Sequence, residues 1–560
     1  MDNIVNEKKY EASEIERQKY VDAVVASTAR NKVVVAGPGT GKTYLFRKLL
    51  RGKNKALTLT FVNALVEDLS LELYGLSEVK TLHAFARHQL TKIRNEKIRV
   101  FPKLSTVIRQ DANSLIGSEV DFDALFHNKQ DADENIEFYR KRRVYYRHYG
   151  FTDMVYAAVR FFEVNPERIP SYSQILIDEF QDFNALEVSL IEILASKSPV
   201  LLAGDDDQAL YETLKSASAK YLRRRHDDSF STYKRFTLPY CSRCTRPIVK
   251  ATNDIILGAK RAGYLSDRID KPFRYFEDPR KDRESECNPQ VVHSQVYPKQ
   301  IPWFIHERIK EIALELRDKF AVLVISPTKT QCRHIATALN EKGFENIHYV
   351  EKQDNQEPTL MDGLNLLLED NKCNLGWRLV AKVLVPEPEF NSLLGKTAIS
   401  INPPSFQEII PQNQKKEVRN LLKTLRSIRS GKGSDDEDLM INLLERLGIE
   451  PLKLAEESLR DQINLSQQRQ VDPGLRKVFI KVTTIPSSKG LAADYVFLTH
   501  FDDRYFIKSE NKNNITDQDI CCFLVALTRA RRKAFLISSD TKKQPVFLEW
   551  ISKSCICTLE

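Results

Sequence analysis

The sequence predicts an α/β protein with two doubly wound parallel-sheet domains, each carrying an inserted helical subdomain. Short β-branched runs, each followed by a helical pattern, predict a first sheet from Lys32–Ala36 (KVVVA), Ala56–Phe61 (ALTLTF), Gln174–Ile177 (QILI) and Pro199–Ala203 (PVLLA). A later group predicts a second sheet from Ala321–Ser326, Val478–Thr484, Tyr495–Thr499 and Ala534–Ser538. Continuous apolar runs of this length are typical of strands covered by helices on both faces. Two separated groups of such runs therefore favour two sheets over one.

Composition excludes several broad classes of protein. The 560 residues are 42% hydrophobic and 29% charged. No apolar run approaches the ~18 residues of a membrane helix, and the charged N-terminus lacks the apolar segment of a secretory signal. Nine irregularly spaced cysteines indicate reduced thiols, so we expect a cytoplasmic protein without a membrane partner. The net charge of +9 is compatible with a phosphate-rich partner but does not establish one.

A glycine-rich segment, AGPGTGKT, follows the first predicted strand and opens a helical run. Glycines at these positions let backbone N–H groups converge on phosphate oxygens without obstruction by a β-carbon. Lys42 would reach the β- and γ-phosphates, and Thr43 would offer its hydroxyl to Mg²⁺. The segment therefore predicts an ATP site formed by Ala36, Gly37, Pro38, Gly39, Thr40, Gly41, Lys42 and Thr43.

Acidic residues, DEFQD, follow the predicted strand QILI. A carboxylate at such a strand end can hold Mg²⁺, while its neighbour can accept a proton from an attacking water. We assign the magnesium role to Asp178 and the role of general base to Glu179. An alternative is that the acidic cluster only caps a helix, but its pairing with the glycine-rich segment favours the catalytic interpretation.

Together these segments resemble the motif set of the superfamily 1 helicases of the UvrD/Rep type. Gln18 lies upstream, and eight motifs then follow in the family's order: AGPGTGKT, Thr60–Asn63 (TFVN), Thr81–Phe85 (TLHAF), DEFQD, Gly204–Tyr211 (GDDDQALY), Leu238–Val249 (LPYCSRCTRPIV), Thr484–Leu491 (TIPSSKGL) and Val525–Ala530 (VALTRA). The resemblance spans residues 18 to about 537 and implies two RecA-like domains that bind ATP and Mg²⁺.

The resemblance also implies roles for single residues. Gln208 would sense the γ-phosphate, and Arg243 and Arg529 would be arginines that reach the nucleotide from the second domain. Such a guanidinium can accelerate phosphoryl transfer by ~10³–10⁵-fold. Gln18 would read adenine, and Gly490 would lie at the ATP site. The residues implied to contact single-stranded DNA are Phe61, Asn63, His83, Tyr211 and Thr484.

Two basic stretches with interleaved aromatic rings, Tyr139–Tyr149 (YRKRRVYYRHY) and Tyr221–His226 (YLRRRH), are further candidates for phosphate contacts. A merely solvated basic face is an equal alternative for both. Phe61 and Tyr211 likewise have an alternative role as packing between strand and helix.

The expected domain organisation follows the motif order. A first RecA-like domain would comprise residues 1–91 and 151–245, interrupted by a helical insertion at 92–150. A second would comprise residues 246–356 and 471–560, interrupted by an insertion at 357–470 that contains the charged stretch Ser430–Asp438 (SGKGSDDED).

Several positions depart from the family pattern. Ser242 stands where the family has an adenine-stacking tyrosine, and Tyr44 where it often has arginine. We expect Tyr44 to supply the stacking that Ser242 cannot. Pro486 and Ala492 replace a histidine and a glutamate of the fifth motif. The hydrolysis residues are thus complete, whereas the parts that couple hydrolysis to DNA are reduced.

The expected activity is ATP-dependent DNA helicase, with movement in the 3′ to 5′ direction on single-stranded or forked DNA, both by resemblance. One alternative is a DNA-stimulated ATPase subunit that regulates or loads a partner nuclease in repair or phage defence. Another is a nucleotide-regulated DNA-binding protein that hydrolyses ATP slowly.

Overall fold

The computed structural model describes residues 2–60, 63–130, 133–210, 217–226, 232–279, 281–282, 291–316, 318–344, 347–350, 357–398, 402–429, 477–507, 515–540 and 543–559. The chain divides into two units. The sheet unit comprises residues 1–86, 158–352 and 471–560, and the insertion unit comprises residues 87–157 and 353–470. The insertion unit thus joins segments from both expected insertions.

The first sheet of the sheet unit has six strands in the order β3-β2-β4-β5-β1-β6, and all neighbouring pairs are parallel. Its strands are β1 (Asn31–Ala36), β2 (Ala56–Thr60), β3 (Glu78–Thr81), β4 (Gln174–Ile177), β5 (Val200–Gly204) and β6 (Lys234–Leu238). The central strands are buried along almost their whole length because helices cover both faces.

The order of this sheet places the predicted site residues at one edge. β4, β5 and β1 are neighbours, and their carboxyl ends lead into Asp178, Asp205 and the glycine-rich loop. The carboxyl ends of parallel strands meet at the same edge, where open α/β sheets bind their ligands. Gly204 has a local reason to be glycine, because an added β-carbon would lie 2.7 Å from Oε1 of Gln181.

The second sheet has seven parallel strands in the order β11-β12-β10-β13-β14-β9-β15. Two short strands, β7 and β8, pair separately. The strands are β7 (Tyr240–Cys241), β8 (Arg274–Tyr275), β9 (Val291–Gln295), β10 (Phe320–Ser326), β11 (Ile347–Val350), β12 (Val478–Thr484), β13 (Ala493–Thr499), β14 (Ala530–Ser538) and β15 (Ile556–Leu559). The two large parallel sheets confirm the predicted α/β class.

Helices surround both sheets and build the insertion unit. In the first half of the chain they are α1 (Asp2–Ala26), α2 (Lys42–Leu50), α3 (Asn63–Glu72), α4 (Leu82–Arg94), α5 (Leu104–Ile116), α6 (Phe122–His127), α7 (Glu134–Tyr146), α8 (Phe151–Val164), α9 (Ala185–Lys197), α10 (Lys220–His226) and α11 (Arg246–Arg261). The later helices are α12 (Ile301–Glu315), α13 (Lys329–Glu341), α14 (Leu360–Glu369), α15 (Asn374–Leu384), α16 (Glu387–Lys396), α17 (Phe406–Ile409), α18 (Gln412–Arg429), α19 (Asp503–Phe506), α20 (Asp517–Leu527) and α21 (Val546–Trp550). None of the helices in the described residues is long and apolar enough to span a membrane.

A buried ionic network lies at the centre of the insertion unit. Asp111 on α5 accepts hydrogen bonds from Nε of Arg142 on α7 (2.9 Å) and from Nη2 of Arg378 on α15 (2.8 Å). The hydroxyl of Tyr146 also donates to Asp111, at 2.5 Å, and Nη1 of Arg142 donates to Thr397 at 2.9 Å. Burial alone would raise the pKa of Asp111, but the two guanidinium groups outweigh it and lower that pKa. The network therefore ties the two sequence segments of this unit together.

Candidate active site

The glycine-rich loop connects β1 to α2 with two residues in the left-handed region. Gly39 has φ 69° and Gly41 has φ 93°, a conformation that residues with a β-carbon rarely adopt. The hydroxyl of Thr40 donates to the carbonyl of Gly37 at 2.8 Å and closes the turn. The loop therefore has the backbone shape that a phosphate-binding role requires.

The loop packs directly against the segment that carries Arg243. A β-carbon on Gly39 would lie 2.3 Å from Cβ of Arg243. Ser242 donates twice to the carbonyl of Gly39, from its backbone N (3.0 Å) and from Oγ (3.2 Å). Ser242 thus contacts the phosphate loop from the position where the resemblance places a stacking ring.

Lys42 and Glu179 form an ion pair at the floor of the site. Nζ of Lys42 lies 3.2 Å from Oε1 of Glu179. Burial would lower the pKa of Lys42, but Glu179, Asp178 and Asp205 outweigh it and raise that pKa. Burial would likewise raise the pKa of Glu179, and the cations Lys42 and Lys489 instead hold it well below its usual range. Glu179 has φ 54°, a strained conformation of the kind found at functional sites.

Asp178 has the surroundings of a metal ligand. Its Oδ1 is buried and has no hydrogen-bond partner among the described residues. Burial, followed by the neighbouring Glu179, raises the pKa of Asp178. A buried carboxylate oxygen without a partner is costly unless a cation or ordered water satisfies it. Asp178 lines the same cavity as Thr43, so the two oxygens fit a magnesium site.

Gln208 and Arg529 are joined by a direct hydrogen bond. Nη2 of Arg529 donates to Oε1 of Gln208 at 2.8 Å. The other guanidinium nitrogens bond to backbone carbonyls of Val525 (2.9 Å) and Leu491 (3.2 Å). Burial, and then the charge of Arg243, lower the pKa of Arg529 to about 10, so it stays charged at neutral pH.

A cavity of 1110 Å³ brings most of the predicted hydrolysis residues together. Its walls include residues from the ends of β1, β4 and β5 and from the segments beside the second sheet. The predicted residues that line it are Gly37, Pro38, Gly39, Thr40, Gly41, Lys42, Thr43, Asp178, Glu179, Gln208, Arg243, Gly490 and Arg529. Ala36 is the buried last residue of β1, directly before this loop.

Lys489 is part of the site although the sequence motifs predict no role for it. Its buried Nζ donates to the carbonyl of Gln208 at 2.6 Å, pairs with Asp182 and lies 3.6 Å from Oε2 of Glu179. A lysine before the glycine of TIPSSKGL was the available signal. Four further cations line the cavity without belonging to any of the motifs, namely Arg47, Lys281, Arg531 and Arg532.

The two residues expected to bind adenine lie together beside the loop. The hydroxyl of Tyr44 donates to Oε1 of Gln18 at 3.0 Å, and Nε2 of Gln18 donates to Asp22 at 2.6 Å. The guanidinium of Arg17 lies 5.3 Å from the centre of the Tyr44 ring and 5.2 Å from that of Phe276. Neither Gln18 nor Tyr44 is among the described residues that line the 1110 Å³ cavity.

Replacing Tyr44 with alanine is expected to raise the KM for ATP by about fivefold to tenfold, because stacking on a ring contributes about 1 kcal/mol. Tyr44→Phe keeps the ring and loses only the hydrogen bond to Gln18, so it should show the smaller change. Steady-state ATP hydrolysis measures both. An unchanged KM in Tyr44→Ala would contradict a stacking role.

Of the residues expected to contact DNA, the structure describes His83 and Thr484 fully. His83 is half-buried near the start of α4, and Thr484 ends β12 with its hydroxyl 3.3 Å from that of Ser487. Asn63 begins α3. Phe61 and Tyr211, like the stretch Ser430–Asp438, lie outside the described residues.

The basic stretch at residues 139–149 is partly buried in the insertion unit, with Arg140, Lys141 and Arg147 exposed. Tyr139, Arg142 and Tyr146 are buried, so this stretch is not simply a solvated face. The stretch at residues 221–226 lies on α10, where Arg223 pairs with Asp206 at 3.3 Å. Structural ion pairs and packing therefore account for much of both patterns.

The fold and the site together define the biochemical class of this protein. The glycine-rich loop follows the inner parallel strand β1, and the acidic pair follows β4, which is separated from β1 by β5. Together with the two predicted arginines in the same cavity, these are the parts of a P-loop nucleoside triphosphatase with two RecA-like sheets.

Comparisons with known proteins identify the family. Residues 21–214 match an AAA domain model and residues 400–541 match the UvrD-like helicase C-terminal domain. The chain is 22% identical to a probable DNA helicase II homolog of Mycoplasma genitalium, over 93% of this chain and 85% of that protein. It is 23% identical to the ATP-dependent DNA helicase PcrA of Staphylococcus epidermidis, over 70% of this chain and 59% of that protein. The chain belongs to the UvrD/Rep-like superfamily 1 helicases.

Proposed function

We propose that this chain is an ATP-dependent DNA helicase that couples hydrolysis of ATP to 3′–5′ movement on single-stranded DNA. The proposal that the chain hydrolyses ATP rests on the shared cavity, which Arg243 and Arg529 line together with the loop that carries Lys42. Charge spreads over the γ-phosphoryl oxygens in the transition state of phosphoryl transfer, and guanidinium groups stabilise it there. The family membership and the named helicase relatives support DNA as the substrate.

The ion pair of Lys42 and Glu179 suggests how the site responds to nucleotide. The ammonium group of Lys42, together with that of Lys489, favours the anionic form of Glu179. When Lys42 turns to the β- and γ-phosphates, Glu179 loses one of its two cations, and its pKa rises toward a value better suited to a general base. Glu179 can then accept a proton from the attacking water.

Thr43 and Asp178 would hold a magnesium ion, which when bound neutralises part of the phosphate charge. Oδ1 of Asp178, which is buried without a hydrogen-bond partner in the described part of the chain, supports this assignment. Lys489 contacts both the carbonyl of Gln208 and the acidic residues after β4, and it thereby fixes their relative positions.

The proposed DNA contacts are Phe61, Asn63, His83, Tyr211 and Thr484, through stacking and polar contacts at the carboxyl ends of strands. The 3′–5′ direction rests on resemblance. The described residues offer no observation in favour of the alternative, an ATPase subunit that serves a nuclease.

ATP hydrolysis and strand separation test this proposal together. We expect hydrolysis by the full chain to rise with single-stranded DNA, and a forked duplex with a 3′ single-stranded tail to be unwound. Lys42→Ala should reduce hydrolysis to near background because the β/γ-phosphate contact is lost. Lys53→Ala, at an exposed lysine after α2, is the matched control and should retain activity.

Parallel assays with RNA forks and with 5′-tailed forks define substrate and direction. Hydrolysis without stimulation by any single strand would contradict the motor function. Stimulated hydrolysis without unwinding would favour the partner-dependent alternative.

A further inference from the structure

Three consecutive aspartates after β5 are buried together. Asp205, Asp206 and Asp207 are 0%, 1% and 7% exposed. Their carboxylate oxygens lie within 4.8 Å of one another, close enough to surround a single cation. Three buried carboxylates at this separation repel one another strongly and require positive charge.

The positive charge comes from Lys271, in the segment that follows α11. Its Nζ lies 2.9 Å from Oδ1 of Asp205 and 2.9 Å from Oδ2 of Asp207, and it also contacts Asp206. Arg268 adds a two-point contact to Asp207, at 2.7 Å and 2.9 Å, and Arg223 pairs with Asp206 at 3.3 Å, so three cations balance the three carboxylates. Burial would lower the pKa of Lys271, but the three carboxylates outweigh it and raise that pKa. The ammonium group of Lys271 thus lies among the three carboxylates, at a position that could otherwise hold a metal cation.

The cationic segment packs with the second sheet, whereas the aspartates extend the first. Leu265 and Phe273, on either side of Lys271, belong to the same buried cluster as β10, β13 and β14. Asp205 directly follows β5 of the first sheet. The contact therefore joins a segment that packs with the second sheet to the end of a strand of the first sheet.

Asp205 connects Lys271 to the nucleotide site. The second oxygen of Asp205 accepts a hydrogen bond from Nε2 of Gln208 at 2.6 Å. An ionised carboxylate only accepts hydrogen bonds, so it turns the NH₂ of Gln208 toward itself and the amide oxygen away. That amide oxygen accepts from Arg529 at 2.8 Å. The orientation of Gln208, and with it the contact to Arg529, depends on where Asp205 is held.

We propose that Lys271 is a positioning residue for ATP hydrolysis, acting through Asp205 on the amide of Gln208 and on Arg529. This inference rests on the proposed function. Its alternative is that Lys271 only neutralises three buried charges and contributes to stability. The two differ in what happens when Gln208 is absent, because a positioning effect then has no group through which to act.

The test is a double-mutant cycle on the DNA-stimulated kcat of the full chain, with Lys271→Met and Gln208→Ala. We expect Lys271→Met to lower kcat by about tenfold with the KM for ATP within about twofold, as for loss of a transition-state contact. In the Gln208→Ala background the same change should cost less than about twofold. Lys271→Arg, which keeps the charge, should recover part of the rate. Lys260→Met, at an exposed lysine on α11, is the matched control.

Lys271→Met leaves one unbalanced carboxylate and could unfold the chain. Lys271→Met combined with Asp206→Asn restores the charge balance while leaving Asp205 without its lysine, and it should show the same loss of kcat. Equal losses with and without Gln208 would overturn the positioning role, as would a kcat of the folded, charge-balanced variant within about twofold of wild type. Absence of DNA-stimulated hydrolysis in the wild type would instead overturn the proposed function itself.

Discussion

Replacing Arg529 with alanine is expected to lower the kcat of DNA-stimulated ATP hydrolysis by about 10³-fold, the effect of losing a positioned arginine in phosphoryl transfer. The expectation rests on the burial of Arg529, its bond to Gln208 and its place in the cavity wall. Because the contact forms with charge that develops in the transition state, the KM for ATP should change far less than kcat. Steady-state hydrolysis at saturating single-stranded DNA measures both.

Two controls separate catalysis from folding in this experiment. Arg529→Lys keeps a positive charge but not the planar fork of donors, so it should recover little of the rate. Arg246→Ala removes a half-exposed arginine of α11 that pairs with Glu277 and should leave kcat near that of wild type. If Arg529→Ala retained more than about a tenth of the wild-type kcat while folded, Arg529 would not act on the transition state.

The second large effect is expected in the insertion unit. Asp111→Asn should destabilise this unit by about 3–5 kcal/mol, because it leaves Arg142 and Arg378 buried without their counter-charge. Hydrogen–deuterium exchange on α5 and α15 measures the loss locally, which is necessary because a chain of several units does not unfold in one step. The expected result is faster exchange in these helices, with little change in the strands of the first sheet.

The pH dependence gives an independent check on Asp111. Its pKa in the folded chain is lowered, and the unfolded value is about 3.9. The stabilisation is therefore complete above the unfolded pKa and is lost as the pH falls through it toward the folded value. The insertion unit of the wild type should lose protection from hydrogen exchange in acid, and that of Asp111→Asn should lose less.

Asp370→Ala is the control. It removes a more exposed partner of Arg99 and should lower the free energy of unfolding by less than about 1 kcal/mol. Equal effects of the two substitutions would contradict the central role of the network.

The parts of the fold that sequence predicts well are its buried central strands. β1 and β4 carry continuous apolar runs because helices cover both their faces. β3 and β6 lie at the two edges of the first sheet and are only partly buried, with charged residues such as Glu78 and Lys234, so they lack a continuous apolar run. The joining of two distant segments into one insertion unit depends on side-chain contacts such as Arg378 to Asp111, which no local pattern encodes.

The candidate site, like the fold, has residues that the sequence predicts and residues that it does not. Residues within the motifs, such as Lys42, Glu179 and Arg529, could be assigned because their order along the chain resembles a known set. Their roles remain predictions until measured. Lys271 could not be found in this way, because its partners are the aspartates after β5, far away in sequence, and no motif includes it. A cation that pairs with residues far away in sequence can be recognised only from the three-dimensional structure.

The close approach of Gly39 to Arg243 restricts how this sequence can vary. Any side chain on Gly39 would occupy volume that already belongs to a residue from a distant part of the chain. A side chain at Gly39 is therefore tolerated only together with a shift of the backbone that carries Arg243, so this contact couples two distant parts of the sequence. We expect a chimaera that joins the N-terminal half of one homologue to the C-terminal half of another to be destabilised most at this contact.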